Sequence, residues 1–273
     1  MSIISKLTEK CNIKKALVAL GALIIIIGTF LYLSKDSSKD NKALDEVISI
    51  DRNMSIDSVE DVEKVIAYWI DKNPEAIIAS VTNMQKKAMQ QQAKNAQKNI
   101  SKKKSEIYSD SAPSYSPKGY DVTIVEFYDY NCGYCKQVNK SVEQLIKSDR
   151  KVRVIYRDFP ILGKVSQELS EVSIAVHLTS PRKFRKFHSK LMSDRFSSKE
   201  AAIKAAGQVG INVAKLRTTL RNKKSKIQSI LQENLALGSQ VGITGTPAFV
   251  IGEELVPGAL DVNSLKEKIN AVR

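Results

Sequence analysis

Residues 120–138 are YDVTIVEFYDYNCGYCKQV, and this stretch decides the fold of the chain. Val122–Tyr128 is rich in β-branched and aromatic residues, which predicts a strand. Asp129–Asn131 follow as a predicted turn, and the apolar residues after Cys132 recur at helical spacing. A strand that leads through a short turn into a helix opened by Cys-x-x-Cys is typical of thiol–disulfide redox chemistry.

The two cysteines of this motif are expected to play different parts. Cys132 would lie at the start of the helix, where unpaired backbone N–H groups and the positive end of the helix dipole stabilise a thiolate. Cys135 would lie one turn further along, more buried and still carrying its proton. We therefore predict that Cys132 attacks a substrate disulfide and that Cys135 resolves the mixed disulfide.

Glu126 is a candidate proton relay, because it lies on the strand that leads into the motif. A buried acid at this place can carry the proton of the resolving thiol. Its neighbours Ile124, Val125 and Phe127 are all apolar, so their pattern leaves open which side of the sheet Glu126 faces. The alternative is a strand glutamate that faces solvent.

A second segment, Thr246-Pro247, immediately precedes the predicted strand Ala248–Ile251. Proline has no backbone N–H, so within a sheet it is tolerated at the first position of a strand or at an edge. A cis peptide bond at such a place would be a specific structural feature.

Three separated motifs together carry a family resemblance: VEFYDYNCGYCK at 125–136, VRVIYRDFPILG at 152–163 and GITGTPAFVIG at 242–252. In this order, and followed by Pro257-Gly258, they resemble the DsbA-like branch of the thioredoxin superfamily. The resemblance covers about Gly119 to Arg273 and implies an α/β thioredoxin fold with a helical insertion at about 164–237.

The resemblance also implies roles for single residues. Thr246-Pro247 would form a cis peptide beside Cys132 and Cys135, where backbone groups hold an extended substrate, and Glu126 matches the acidic position of the family. Oxidases of this family often carry Pro-His between the cysteines, whereas Gly133-Tyr134 is similar to the Gly-Tyr of disulfide isomerases. A threonine before the cis-proline position is likewise similar to the isomerases.

The N-terminal segments have the composition of an export signal. Residues 1–15 carry Lys6, Lys10, Lys14 and Lys15, and residues 16–33 carry no charge. This asymmetry predicts that residues 1–15 stay in the cytoplasm and that the chain after residue 33 is translocated, so the periplasm is the expected compartment. We favour an uncleaved signal anchor, or transmembrane helix, at 16–33 over a cleaved signal peptide, because no small-x-small site follows closely.

Residues 34–110 are predicted to form an α-helical arm and linker, and 111–273 to form the DsbA-like domain. The Pro- and Ser-rich stretch 110–119 is the predicted linker. The highly polar end of the arm is expected to cross solvent or to need a partner chain. Asn73-Pro74 interrupts the helical pattern, and Ile77, Val81 and Met84 continue an apolar stripe. A stripe with few partners in its own polar neighbourhood predicts that the arm mediates self-association into a homo-oligomer. The arm is also similar to those of oligomeric family members linked to copper tolerance.

Composition argues against several other classes of protein. The 43 Lys and Arg residues exceed the 29 Asp and Glu residues, which gives a net charge of +14. These cations are scattered over predicted helices without an aromatic-interleaved or finger motif, so no nucleic-acid partner is expected. Only three cysteines and two histidines occur, too few for a disulfide scaffold or a structural zinc site, and no metal or other cofactor is expected.

The sequence therefore predicts a protein-disulfide oxidoreductase that promotes disulfide bond formation in exported proteins through a Cys-Gly-Tyr-Cys centre. Its expected partners are cysteine-containing exported proteins and a membrane redox partner. Disulfide isomerase or reductase activity is the alternative within the same class. A Cu(I)-binding thiol protein is the alternative from another class, because soft thiolates prefer Cu(I).

Overall fold

A computed structural model describes residues 58–273, which form two units, 58–78 and 79–273. The predictions for residues 1–15, 16–33 and 34–57 lie outside the described residues. Among the helices of residues 58–273, none has both the length and the apolar character needed to cross a membrane.

The described part of the arm, from residue 58 onward, is helical, as its sequence pattern predicts. Helix α1 (Val59–Lys72) is capped by Ser58, whose hydroxyl accepts the backbone N–H of Asp61. Asn73 interrupts the helix, and α2 (Pro74–Lys102) begins with the proline. A single-turn helix α3 (Lys104–Ile107) follows.

Within residues 58–273, five strands form one sheet, and a helix connects two of them. The strands are β1 (Ser114–Tyr115), β2 (Val122–Tyr128), β3 (Val152–Asp158), β4 (Ala248–Ile251) and β5 (Glu254–Pro257), and helix α4 (Gly133–Ser148) joins β2 to β3. Their spatial order is β1-β3-β2-β4-β5; only β2 and β3 run parallel, and the other pairs are antiparallel. Strand β2 is central, and its bounds and those of β4 agree with the prediction.

The helical insertion begins as predicted and extends slightly beyond the expected end at residue 237. It comprises α5 (Lys164–Thr179), a 3-10 turn (Pro181–Lys183), α6 (Phe184–Ser193), α7 (Lys199–Gln208), α8 (Val213–Asn222) and α9 (Lys224–Gln240). The final helix α10 (Val262–Val272) is capped by Asp261, which accepts the backbone N–H of Ser264. The described domain thus has a thioredoxin-like α/β fold with a helical insertion.

Both faces of the sheet are covered by helices. Ile124 and Tyr128 of β2 point into a core formed with α4, α10 and the insertion. Val125 and Phe127 point into a second core on the opposite face, and Ile100 of α2 packs there. Burial on both faces explains why the strand is mostly apolar, with Thr123 and Glu126 as the exceptions.

Two segments differ from their predictions. The Pro- and Ser-rich stretch 110–119 was expected to be a linker, but Ser114–Tyr115 pair with β3 as an edge strand. The polar end of the arm was expected to cross solvent or to need a partner chain. Instead Ala96 and Ile100 are buried in the same unit as the sheet, because these two positions lie four apart on one helix face.

Candidate redox site

The turn between β2 and α4 places Cys132 at the start of the helix. The Asp129 carboxylate accepts the backbone N–H of Asn131 at 2.8 Å, and the Asp129 carbonyl accepts the backbone N–H of Cys132 at 3.1 Å. Cys132 is the N-cap with extended backbone angles, and its carbonyl accepts the N–H of Lys136 at 3.2 Å. The expected strand–turn–helix placement of the motif is therefore present.

The two thiols differ in exposure and in their partners. Cys132 retains 8% exposure as a residue, and its thiol donates to the carbonyl oxygen of Thr246 at 3.2 Å. Cys135 is fully buried, and its sulfur accepts the backbone N–H of Asp129 at 3.5 Å. Between them, Tyr134 is 67% exposed. A molecule arriving from solvent therefore meets Cys132 before Cys135.

Thr246 and Pro247 lie beside the dithiol, joined by a cis peptide bond. Strand β4 pairs with β2, so Ala248 lies opposite Phe127 near the end of β2 that leads to Cys132. The loop before β4 and the turn after β2 therefore meet at one edge of the sheet. Residues more than a hundred positions apart in the sequence come together there, as the resemblance implies.

Glu126 faces the core that contains both cysteines. Every second side chain of a strand points to the same face, so Glu126 lies on the same side of β2 as Ile124 and Tyr128. Glu126 is fully buried. Within residues 58–273, neither of its carboxylate oxygens has a hydrogen-bond partner. Burial, and to a smaller extent the charge of Glu143, raises the pKa of Glu126 to about 8.

The Cys135 thiol is held protonated by the same surroundings. Burial is the main cause of its raised pKa, and the nearby charge of Glu126 acts in the same direction. Burial and the charge influence of Glu126 are both consistent with a proton relay between Glu126 and Cys135. The pattern of the sequence did not determine this orientation of Glu126.

A buried polar cluster behind the turn was not foreseen from the sequence. The Tyr130 hydroxyl lies 3.0 Å from His188 Nδ1 and 2.9 Å from the Ser173 hydroxyl, and Ser173 donates to Asp158 at 3.4 Å. His188 is fully buried among aromatic rings. Burial lowers the pKa of His188 to about 3 and raises that of Asp158 to about 7.

With this geometry in place, comparison with known proteins identifies the family. The profile described as "DSBA-like thioredoxin domain" matches residues 123–270, more than half of the chain. The chain belongs to this family. Members of the DSBA-like family are protein-disulfide oxidoreductases, and the fold and the strand–Cys-x-x-Cys–helix arrangement agree with that activity.

Individual relatives support the same assignment. The chain is 25% identical over 157 residues to the Disulfide bond formation protein D of Bacillus subtilis, covering 54% of this chain and 71% of the relative. The thiol-disulfide exchange protein alpha-DsbA2 of Wolbachia pipientis is 29% identical with a TM-score of 0.62, over 65% of this chain and 96% of that one. A periplasmic thioredoxin-like protein of Salmonella enterica serovar Typhimurium is 27% identical with a TM-score of 0.54, over 62% and 94%.

The raised pKa of Glu126 predicts a pH-dependent stability. Glu126 ionises near its ordinary value of 4.5 in the unfolded chain and near 8 in the DSBA-like domain. Between these values the unfolded state binds fewer protons, so the free energy of unfolding falls as pH rises. Glu126→Gln cannot ionise, so we expect it to gain on the order of 2–4 kcal/mol relative to wild type between about pH 4.5 and 8.5.

Urea unfolding of both proteins across this pH range measures the difference. The same substitution at the exposed Glu267 is the matched control and should follow the wild-type curve. A difference between Glu126→Gln and wild type that does not change with pH would contradict the assigned protonation.

Proposed function

We propose that this oxidoreductase promotes disulfide bond formation in exported proteins. The observation that carries the proposal is the pairing of a partly accessible Cys132 thiol with a buried Cys135 thiol at the start of α4. The neighbouring carbonyl of Thr246, 3.2 Å from the Cys132 sulfur, is suited to hold an extended substrate through backbone contacts.

The proposed reaction transfers two electrons and two protons from substrate to enzyme. A substrate thiolate attacks Cys132 Sγ of the oxidised enzyme, which breaks the Cys132–Cys135 bond and forms a mixed disulfide. The second substrate thiolate then attacks the substrate sulfur of that bond, so a substrate disulfide forms and Cys132 leaves. The enzyme ends as a dithiol, and we propose that a membrane redox partner reoxidises it.

We propose that Glu126 exchanges a proton with Cys135 during these steps. The Cys135 thiol lies in a fully buried place and must gain or lose a proton each time its disulfide opens or closes. Glu126 is buried in the same core and has a pKa of about 8, so it changes protonation near neutral pH. The pH-dependent stability of Glu126→Gln tests the protonation state that this role requires.

The roles of the cysteines predict different trapping behaviour. Cys135→Ala should accumulate mixed disulfides when incubated with oxidised protein substrates, because Cys132 can attack and nothing resolves the product. Cys132→Ala should accumulate none, because the remaining thiol is fully buried. Non-reducing electrophoresis with mass spectrometry measures both, and equal trapping by the two variants would overturn the assignment.

Disulfide isomerisation is the second candidate activity. It is favoured by Gly133-Tyr134, which places an exposed tyrosine between the cysteines where many oxidases of this family carry histidine. An isomerase needs Cys132 reduced so that it can attack wrong disulfides, whereas an oxidase needs the disulfide form. The chemistry of the same site supports either direction of electron flow.

Two ribonuclease assays separate oxidation from isomerisation. We expect the oxidised chain to convert reduced, unfolded ribonuclease to its disulfide form, with one disulfide made for each Cys132–Cys135 pair consumed. We expect the reduced chain to reactivate scrambled ribonuclease only weakly. The double variant Cys132→Ser/Cys135→Ser is the inactive control, and strong reactivation with feeble oxidation would make isomerisation the function.

We propose that the domain acts in the periplasm. The uncharged segment 16–33, which follows a lysine-rich start, supports export with residues 1–15 left in the cytoplasm. The Salmonella relative described as periplasmic is consistent with this compartment. Cysteine-containing exported proteins would then meet Cys132 where disulfides persist.

We also propose that the arm mediates self-association. Val81 and Met84 lie three residues apart on one side of α2 and are 43% and 64% exposed. An apolar stripe of this kind on a long helix is typical of a protein–protein contact. A second copy of the chain would cover it.

Charge introduced into the stripe should therefore separate the copies. We expect Val81→Lys/Met84→Lys to be monomeric in light scattering and the wild type to be oligomeric, because buried lysines would oppose the contact. Asn83→Lys/Gln90→Lys adds the same charge on the opposite side of α2 and should remain oligomeric. A wild-type monomer would refute the proposal.

A further inference from the structure

The Asp129 carboxylate is a buried group that the redox steps do not use. It is fully buried, and within residues 58–273 it forms no ion pair. Its Oδ1 accepts the N–H of Asn131 at 2.8 Å, and its Oδ2 accepts those of Ile161 at 2.9 Å and Leu162 at 3.0 Å. Three backbone donors thus compensate the burial of this side chain.

The main chain of Asp129 contacts both redox cysteines. Its N–H donates to Cys135 Sγ at 3.5 Å, and its carbonyl accepts the N–H of Cys132 at 3.1 Å. One residue therefore holds the dithiol turn through its backbone and the loop after β3 through its side chain. Residues separated by more than thirty positions are joined by this single carboxylate.

The loop that Asp129 holds exposes apolar side chains next to the turn that carries the dithiol. Ile161 is 42% and Leu162 54% exposed, although their backbone N–H groups point inward to the carboxylate. Gly163 closes the loop with φ of +98°, a conformation that favours glycine. Exposed apolar side chains near a reactive thiol suit a polypeptide whose cysteine is flanked by apolar residues.

We propose that Asp129 is a positioning residue that sets the Ile161–Leu162 loop relative to Cys132 for polypeptide substrates. This inference rests on the proposed function. Asp129→Asn keeps the size of the side chain but replaces one carboxylate oxygen by an NH₂ group, which faces backbone N–H donors instead of accepting from them. One of the two connections, to Asn131 or to the loop, is then lost.

A double-mutant cycle on the full-length chain tests this inference. The measured quantity is the second-order rate constant of the oxidised protein with a reduced synthetic peptide whose cysteine is flanked by leucines. We expect Asp129→Asn and Ile161→Ser/Leu162→Ser each to lower it about tenfold. When Asp129→Asn is added to Ile161→Ser/Leu162→Ser, the rate constant should fall by less than about a further twofold, because the serine loop no longer provides the apolar contact.

The comparison with a small thiol separates positioning from a general defect. We expect Asp129→Asn to lower the rate with glutathione by a smaller factor than the rate with the peptide, since glutathione offers no leucines to the loop. Asp149→Asn is the matched control, because Asp149 also accepts a backbone N–H, from Lys151 at 2.9 Å, beyond the last residue of α4. Its rates should equal those of the wild type.

Three results would overturn the inference: a wild-type rate for Asp129→Asn, losses that multiply in the combined variant, or equal losses for peptide and glutathione. If Asp129→Asn does not fold, hydrogen exchange of the wild-type backbone amides tests the inference instead. The Ile161 and Leu162 amides should exchange slowly, and rapid exchange contradicts the proposed link. A wild type inactive towards peptide and glutathione would refute the proposed function, whereas hydrogen exchange would still test Asp129.

Discussion

The redox site depends on the three-residue turn that joins β2 to α4. Strand β2 is paired with β3 over its whole length and with β4 over four residues, so its end cannot shift without breaking two ladders. The Tyr128 carbonyl at that end accepts the Phe159 N–H at 2.7 Å. Because the turn is short and internally hydrogen-bonded, the fixed end of the strand fixes the start of the helix, and Cys132 lies at that start.

The same ladder determines the chemistry beneath the dithiol. Side chains alternate along β2, so a register shift of one residue would turn Glu126 towards the opposite core and a neighbour towards the cysteines. In the observed register Glu126 and Cys135 share one water-poor interior. Burial disfavours the charged form of both groups, which raises the pKa of each. Transfer of a proton between Glu126 and Cys135 would not separate opposite charges in the core. This would favour proton exchange between the two groups.

The local parts of this arrangement were predictable from the sequence. Strands β2 and β4, the capped helices α1 and α10 and the helices of the insertion each follow from short-range patterns. The side on which Glu126 lies was not predictable, because a strand buried on both faces has no apolar–polar alternation. Asp129 was expected only to form a turn, since nothing near it in the sequence indicates bonds to Ile161 and Leu162. Edge strand β1 was missed because two paired residues within a Pro- and Ser-rich stretch give no periodic signal.

Helix α2 carries both exposed apolar side chains of the arm and a residue that packs on the sheet. Between Glu75 and Lys102 it contains no glycine or proline, so no residue favours a kink. Met84 is exposed in the first half of the helix, and Ile100 is buried near its end in the core on the face of the sheet opposite the cysteines. At 1.5 Å per residue these positions lie about 24 Å apart along the helix. The exposed apolar side chain of Met84 therefore lies several helical turns before the part of α2 that packs on the sheet.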